Sequence, residues 1–269
     1  DRALQYCTVD PLCPLFEEFA KPGSRMLEGG CGLGHYVAFY QAMGVDVVGL
    51  DFAQDALETL NQRVPGLKLC AGDVSAIPFA DESFDVYYSG GVVEHFENGA
   101  TSSLREAHRI LRKEGILLIS VPYFSPLRKL LAPFKREFWK KVESSGLDVQ
   151  TESVSNLKFF QYAYTLDEFS GMLQDSGFKV KKKQGYSVIW GLYELPFIGN
   201  KDEIVDVSRE SADSHSNNEV HMPSFDNAKT SLPKRLLVNE DATIPVLGLG
   251  VKFMRWAASN MMMYVCVKD

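Results

Sequence analysis

Nine residues near the beginning of the chain read Leu27-Glu28-Gly29-Gly30-Cys31-Gly32-Leu33-Gly34-His35. They follow a short apolar run and precede a segment typical of a helix. Glycines in a turn of this kind let the backbone bend tightly and approach a ligand without a Cβ in the way. The N–H groups at the start of the following helix favour a negatively charged group. The stretch therefore predicts a ligand-binding turn between a first strand and a first helix.

The residues after this turn alternate between apolar runs and segments with helical spacing. Val45 to Leu50 predicts a buried strand that ends at Asp51, and apolar residues from Ala53 to Val64 fall on one face of a helix. Another helix face extends to Leu111, and further strands are predicted over 67–71, 84–88 and 115–121. This alternation, with nearly continuous apolar strands, indicates a parallel sheet that is covered on both faces.

The alternation lapses after Val121. Thr165 and Glu168 are spaced as a capping box, so a helix is predicted from Thr165 to a glycine cap at Gly177. An edge strand is predicted over 178–183 and a final strand over 261–267. Residues 201–235 hold only nine hydrophobic residues out of 35, which predicts an exposed or mobile insertion.

The spacing of the glycines distinguishes between classes of nucleotide-binding turn. A dinucleotide fingerprint requires G-x-G-x-x-G, but counting from Gly30 the last position falls on His35, and counting from Gly29 the second falls on Cys31. No G-x-x-x-x-G-K-[ST] loop is present either. The pattern is instead E-x-G-x-G-x-G, from Glu28 to Gly34.

This pattern resembles motif I of the class I S-adenosylmethionine-dependent methyltransferases. The resemblance extends over residues 24–121 and is most similar to the small-molecule branch that includes quinone-biosynthesis enzymes. Gly29 at a variable position and Glu114 in place of the usual proline are mild departures. The other segments that carry the resemblance are Asp51, Gly72-Asp73-Val74, Ile77 to Asp85, Ser89 to Phe96 and Leu111 to Leu117.

The resemblance implies the rest of the fold and the reaction. The expected architecture is α/β, a Rossmann-like, seven-stranded, mostly parallel sheet with helices on both faces and an inserted helical lid or cap. The expected division is residues 1–121 for cofactor binding, 122–164 for the acceptor or lid, and 165–269 for completing the sheet. The expected enzyme moves a methyl group from S-adenosylmethionine to an O, N or C atom of a small, apolar or lipid-like acceptor by in-line displacement, releasing S-adenosylhomocysteine.

Residue chemistry agrees with the implied cofactor site. An ionised Asp51 is an acceptor only, so it can take both ribose hydroxyls. Asp73 and Val74 are expected at the adenine, and Phe52 is expected to stack on it. The expected cofactor-binding residues are Glu28, Gly29, Gly30, Cys31, Gly32, Gly34, Asp51, Phe52, Asp73, Val74, Ser89 and Gly90.

Each assignment has an alternative. Asp51 could instead cap a helix that begins at Phe52, and Cys31 is expected to line the loop as a small residue. His95 is the candidate general base, although a histidine at the start of a helix is often structural. A non-catalytic binder of S-adenosylmethionine and, with less support, a nicotinamide-dependent oxidoreductase are the alternative functions.

A basic amphipathic segment follows the fifth predicted strand. Leu127 to Lys141 contains an apolar stripe, six basic residues and one acidic residue, net +5. Such a segment can form a lid over an apolar acceptor or make peripheral contact with an anionic membrane. The candidate acceptor-binding residues are Tyr123, Phe124, Leu130 and Phe134, and aromatic residues of this region could equally belong to the core.

The net charge and the cysteine content limit the kinds of partner and metal site that the chain is expected to have. With 28 basic and 35 acidic residues the formal charge is −7, and nucleic acid is not an expected partner. The five cysteines are scattered and form no C-x-x-C pair, which argues against a metal site or a disulfide framework and favours a cytoplasmic setting.

Overall fold

The computed structural model describes Cys7, Asp10 and residues 12–132, 161–192 and 245–269. Within these residues seven strands form one sheet in the order β3-β2-β1-β4-β5-β7-β6. The strands are β1 Arg25–Gly29, β2 Asp46–Asp51, β3 Leu69–Ala71, β4 Phe84–Gly90, β5 Leu111–Pro122, β6 Phe178–Tyr186 and β7 Met261–Lys268. The predicted insertion at 201–235 lies outside the described residues.

Helices connect the strands along the chain. A 3-10 turn, Val93–His95, follows β4, and residues 126–132 are helical after β5. The remaining part of the predicted lid, including Phe134, lies outside the described residues. The labelled helices are α1 Cys13–Phe19, α2 His35–Ala42, α3 Gln54–Arg63, α4 Thr101–Ile110, α5 Leu166–Asp175, α6 Val188–Leu192 and α7 Pro245–Ala258.

The topology creates a crevice at the centre of the sheet. Strands β1 to β5 are parallel, whereas β7 is antiparallel to both β5 and β6. From β1 the chain moves outward to β2 and β3, and it then returns to place β4 on the other side of β1. Ligands of open α/β sheets bind at such a reversal, beyond the carboxyl ends of the strands. The predicted seven-stranded, mostly parallel, Rossmann-like sheet is confirmed.

The strands β1, β2, β4 and β7, and β5 from Gly115 onward, are mostly buried on both faces, as nearly continuous apolar strands require. The edge strand β6 is largely exposed, and β3 is partly exposed. Neighbouring residues of one strand belong to different cores, because side chains alternate between the faces of a sheet. Leu27 and Tyr87 pack in one core with α4 and α5, whereas Met26 and Tyr88 pack in the other with α1 and α2.

The predicted elements differ from the observed ones mainly at their ends. The capping box of Thr165 and Glu168 is confirmed, with both reciprocal hydrogen bonds present. Leu111, predicted on a helix face, instead begins β5 beside Phe84, so that assignment was wrong. Leu111 is fully buried, and burial alone does not distinguish the last turn of a helix from the first residue of a strand.

No helix in the described ranges is long and apolar enough to span a membrane.

Candidate functional site

The glycine-rich turn is held against the end of β2 by backbone hydrogen bonds. The N–H groups of Gly30 and Cys31 both donate to the carbonyl oxygen of Leu50, at 2.7 and 3.0 Å. Gly30 has a φ of 75°, and a Cβ there would collide with the side chain of Val92. Glycine is therefore required at position 30 by both the backbone conformation and the available space.

Asp51 connects this turn to the segment that follows β2. Its Oδ2 accepts from the N–H of Gly32 at 2.8 Å, and its Oδ1 accepts from the N–H of Ala53 at 2.9 Å. The side chain is 7% exposed. Helix α3 begins at Gln54 with Ala53 as its N-cap, so the alternative that Asp51 caps a helix starting at Phe52 is wrong. Each carboxylate oxygen has two lone pairs, which leaves both oxygens able to accept a further hydrogen bond.

A pocket of about 620 Å³ opens beside this carboxylate. Its walls come from the segments that follow β1, β2, β3 and β4, so it occupies the crevice that the topology creates. Its size is within the range of small-molecule sites. The lining residues are Gly30, Asp51, Phe52, Gly72, Asp73, Val74, Gly91, Val92, His95 and Phe96.

The side chains of the pocket offer a flat apolar surface beside polar acceptors. Phe52 is 85% exposed at the pocket, which is unusual for a phenylalanine and leaves its ring available for stacking. Asp73 Oδ1 accepts from the N–H and the hydroxyl of Ser75, at 2.7 and 2.8 Å. These bonds fix the turn after β3 and leave Asp73 Oδ2 as the oxygen available to a ligand.

Glu28, at the end of β1, is a buried carboxyl below the turn. It is 5% exposed, and its Oε2 has no hydrogen-bond partner among the residues that the structure describes. Burial raises its pKa to about 8; a hydrogen bond with the backbone of Val37 opposes this rise, and the charge of Asp51 adds to it. A buried carboxyl oxygen without a partner is costly, so Oε2 of Glu28 is suited to a cationic or hydrogen-bond-donating ligand.

The loop of residues 72–83 is secured by two side chains of α4 that the sequence did not single out. Arg109 donates to the carbonyl oxygens of Ile77 and Phe79, both at 2.8 Å, and Glu106 Oε2 accepts from the N–H of Ile77 at 2.7 Å. Arg109 and Glu106 are also joined by two hydrogen bonds, at 2.9 and 2.8 Å. The pair therefore fixes both backbone groups of Ile77, three residues beyond pocket residue Val74.

Other predicted cofactor residues lie next to the pocket rather than on its lining. Gly29 and Ser89 are within β1 and β4, and a Cβ at Gly29 would collide with the ring of Tyr87. Gly90, at the end of β4, lies immediately before pocket residue Gly91. Burial raises the pKa of the Cys31 thiol, and the charges of Glu28 and Asp51 add to the rise. Cys31 is thus a buried thiol that packs in the turn.

Gly32 and Gly34 complete the turn. The N–H of Gly32 donates to Asp51, and Gly34 precedes α2 with a φ of 64° and packs against Leu60. The structure therefore brings Gly30, Asp51, Phe52, Asp73 and Val74 together at the pocket.

The three described residues among those predicted to bind an acceptor, Tyr123, Phe124 and Leu130, are not on the lining of this pocket. Tyr123 is buried in the core and its N–H donates to Asn260, whereas Phe124 is half-buried and its N–H donates to Tyr164. Leu130 is 69% exposed on the helix of residues 126–132. His95, the predicted base, is exposed and lines the pocket.

Comparisons with known proteins agree with the motifs. Residues 27–119, which contain every expected cofactor-binding residue, match a family model described as a methyltransferase domain. Demethylmenaquinone methyltransferase of Renibacterium salmoninarum is 36% identical over 119 residues, covering 43% of this chain and 49% of the relative. Malonyl-[acyl-carrier protein] O-methyltransferase of Serratia marcescens is 28% identical over 122 residues, covering 45% and 46%. The chain thus spans about half the length of these curated relatives.

A solved structure extends the likeness to nearly the whole chain. An S-adenosylmethionine-dependent methyltransferase from Mesorhizobium loti aligns with a TM-score of 0.53 and 14% identity, covering 97% of this chain and 99% of that one. At this identity the likeness shows the fold alone. The family match over residues 27–119 confirms the methyltransferase resemblance that the motifs predicted, and the solved structure agrees with it in fold.

The buried Glu28 carboxyl generates a prediction about stability. Because its folded-state pKa of about 8 exceeds the usual value of 4.5, its protonated form is favoured by folding. The contribution of Glu28 to the free energy of unfolding should therefore be most favourable below pH 4.5. It should become less favourable as the pH rises from 4.5 to 8. Urea unfolding of the ligand-free protein at pH 6 and pH 9 measures the difference.

Glu28→Gln, which is neutral at every pH, should lose this part of the pH dependence and be more stable than wild type at pH 9. Glu58→Gln on the exposed side of α3 is the matched control and should behave as wild type. Equal pH dependence in wild type and Glu28→Gln would show that Glu28 is ionised in the folded protein.

Proposed function

We propose that this chain is an enzyme that binds S-adenosylmethionine in the pocket at the strand ends and transfers its methyl group to a small acceptor. The observation that carries the proposal is Asp51, a buried carboxylate at the end of β2 that holds the glycine-rich turn, lines the pocket and can accept further hydrogen bonds. The methyltransferase family match over residues 27–119 supports it.

The residues present fit the parts of this cofactor. Asp51 would accept from the ribose hydroxyls, and Phe52 would stack on the adenine, whose edge Asp73 and Val74 would contact. Glu28, with its unpartnered Oε2, would accept from the ammonium side of the amino acid end, directly or through water. The glycine turn would let the backbone approach without a Cβ in the way.

The main role of the protein would be to align the acceptor with the methyl group of the cofactor. When bound, S-adenosylmethionine supplies a methyl group that its sulfonium already activates. The pocket residues would hold the acceptor in line with that methyl group, and such positioning can lower a barrier by on the order of 7–11 kcal/mol. Val92 and Phe96 give the pocket an apolar wall, and His95 would contact the acceptor there.

For the acceptor we propose a small molecule with an apolar part. The names of the two sequence relatives refer to a quinone and to a malonyl group on a carrier protein. Residues 127–141 would supply the apolar cover, and its basic side chains would attract an anionic head group or an anionic membrane surface. Residues 127–132 are the described part of this segment, and Lys129 and Leu130 are exposed on it.

The first prediction for this function concerns binding. Calorimetry of the purified protein should show binding of S-adenosylmethionine and S-adenosylhomocysteine, and no binding of NADH. Asp51→Ala removes charge-assisted hydrogen bonds to the ribose, so its cofactor affinity should fall by roughly 1.5–3 kcal/mol. Asp55→Ala, at an exposed position in the first turn of α3, is the control and should bind as wild type.

Binding of NADH with no binding of either sulfur compound would overturn the cofactor assignment. Release of S-adenosylhomocysteine in the presence of a panel of phenolic, carboxylate and amine acceptors then separates an enzyme from a non-catalytic binder. A binder would show full cofactor affinity and no release above the rate without an acceptor.

The second prediction concerns the exposed apolar surface. Leu130→Ser should raise the KM for the acceptor while leaving cofactor affinity unchanged, because the cofactor residues lie on other segments. Val64→Ser, at an exposed apolar residue after α3, is the matched control.

Vesicles with anionic lipid should bind the wild-type protein more strongly than the double variant Lys135→Gln/Arg136→Gln, and added salt should suppress the difference. Unchanged KM and no vesicle binding would leave the segment as solvated surface.

A further inference from the structure

Helix α7 joins the sheet at the edge where the pocket lies. It belongs to residues 187–260, which connect β6 to β7. Strand β7 begins at Met261, opposite Pro122 at the end of β5. Because β5 is parallel to β1–β4, this is also the edge at which the strands of the pocket end. None of the roles assigned above uses α7.

The last turns of α7 are packed against the sheet on one side. Ala258 is 2% exposed, and a Cβ at Gly191 of α6 would collide with its carbonyl oxygen. A Cβ at Gly185 of β6 would lie 2.8 Å from the carbonyl oxygen of Arg255. These close approaches hold the end of α7 against β6 and α6, so the far side of the helix points away from the sheet.

Two large aromatic side chains are exposed on α7. Phe253 is 61% exposed and Trp256 is 50% exposed. Their ring centroids are 5.7 Å apart, in agreement with their spacing of three residues along one helix face. Phenylalanine and tryptophan are normally buried to a large extent. Adjacent exposed rings of this size therefore indicate an interaction surface.

The charged residues of this part of the molecule are basic. Lys252 is exposed beside the two rings, and Arg255 is half-buried in the same helix. The helix of residues 126–132 adds the exposed Lys129 and Leu130, of which Leu130 is 69% exposed. Neither helix contains an acidic residue, although the chain as a whole is net −7. Basic charge is thus concentrated beside exposed apolar side chains.

The two helices are joined at Asn260, two residues after the end of α7. The guanidinium of Arg128 donates to the carbonyl oxygen of Asn260 at 3.3 Å and also to its side-chain oxygen. The same guanidinium donates to the carbonyl oxygen of Tyr123 at 2.9 Å, and the N–H of Tyr123 donates to the carbonyl oxygen of Asn260 at 2.8 Å. Both helices are therefore fixed at the same edge of the sheet. The exposed residues Lys129, Leu130, Lys252, Phe253 and Trp256 constitute the docking surface.

We infer that this docking surface binds an anionic lipid membrane. Phe253 and Trp256 would lie at the boundary between head groups and acyl chains, where aromatic side chains are favoured. Lys129 and Lys252 would contact the negative head groups. Acidic residues elsewhere oppose this attraction only weakly, because physiological salt screens charges that are more than about 8 Å apart. The inference does not depend on the proposed reaction, and docking would bring the pocket edge of the sheet to a bilayer.

Co-sedimentation with vesicles measures the apolar part of this binding. Wild type should bind vesicles of phosphatidylcholine and phosphatidylserine, and should bind phosphatidylcholine alone about tenfold more weakly. Phe253→Ser should weaken binding to the mixed vesicles by about tenfold, because its ring no longer leaves water. Met43→Ser, at an exposed apolar residue after α2, is the matched control and should bind as wild type. All variants should keep the wild-type Tm, because the changed side chains are exposed.

A pair of double variants tests the charged part. Lys129→Gln/Lys252→Gln should bind the mixed vesicles about tenfold more weakly than wild type, and added salt should suppress the difference. Lys113→Gln/Lys179→Gln removes the same charge from exposed positions at the opposite edge, where β5 and β6 begin, and should bind as wild type. Equal losses in the two double variants would mean that net charge alone attracts the membrane, and would overturn the inference.

Tryptophan fluorescence tests whether α7 itself touches the lipid. The chain has three tryptophans, so the difference between wild type and Trp256→Phe isolates the signal of Trp256. Phospholipids with brominated acyl chains should quench this signal in the bound protein. Binding without quenching of Trp256, or no binding of wild type to the mixed vesicles, would overturn the inference. A dimer that Phe253→Ser converts to a monomer, with no vesicle binding, would instead assign the surface to a second copy of the chain.

Discussion

The site depends on the hydrogen bonds of a single carboxylate. Asp51 accepts from Gly32 in the glycine-rich turn with one oxygen and from Ala53, the N-cap of α3, with the other. The turn after β1 and the segment after β2 are thereby held at a fixed distance across the crevice of the sheet. The backbone bonds from Gly30 and Cys31 to Leu50 act at the same place. A ligand that uses the remaining lone pairs of Asp51 would therefore meet a surface that is already ordered, with little conformational entropy left to lose.

Buried carboxyl groups explain why a cationic ligand suits the pocket. Glu28, Asp51 and Glu94 are all buried within or beside it, and Glu28 and Glu94 have raised pKa values of about 8 and about 7 because burial disfavours their charged forms. A sulfonium and an ammonium group in the same ligand would stabilise ionised carboxylates there. The chain as a whole is net −7, so long-range attraction acts in the same direction. The loop that Glu106 and Arg109 secure completes the pocket on the β3 side.

The sequence predicts those parts of the site that depend on residues close to one another along the chain. The positions of Gly30, Gly32 and Gly34 predict the turn, and the position of Asp51 at the end of an apolar run predicts a carboxylate at the strand ends. The bonds of Arg109 to a loop about 30 residues earlier are set by tertiary packing, and no local pattern indicates them. Glu94 looks like an ordinary polar residue of a short turn, and no local pattern indicates that it is 2% exposed. Tyr123 was predicted at an acceptor site, but its chemistry is equally that of a core residue, and the structure places it in the core.

The central claim is that Asp51 joins the glycine-rich turn to the cofactor. A crystal structure of the protein grown with S-adenosylhomocysteine tests it most directly. We expect ribose hydroxyls within hydrogen-bond distance of both oxygens of Asp51, the adenine against Phe52, and the amino acid end near Glu28, with the bond from Gly32 to Asp51 kept. A ligand bound elsewhere, or a ribose that makes no contact with Asp51, would contradict it.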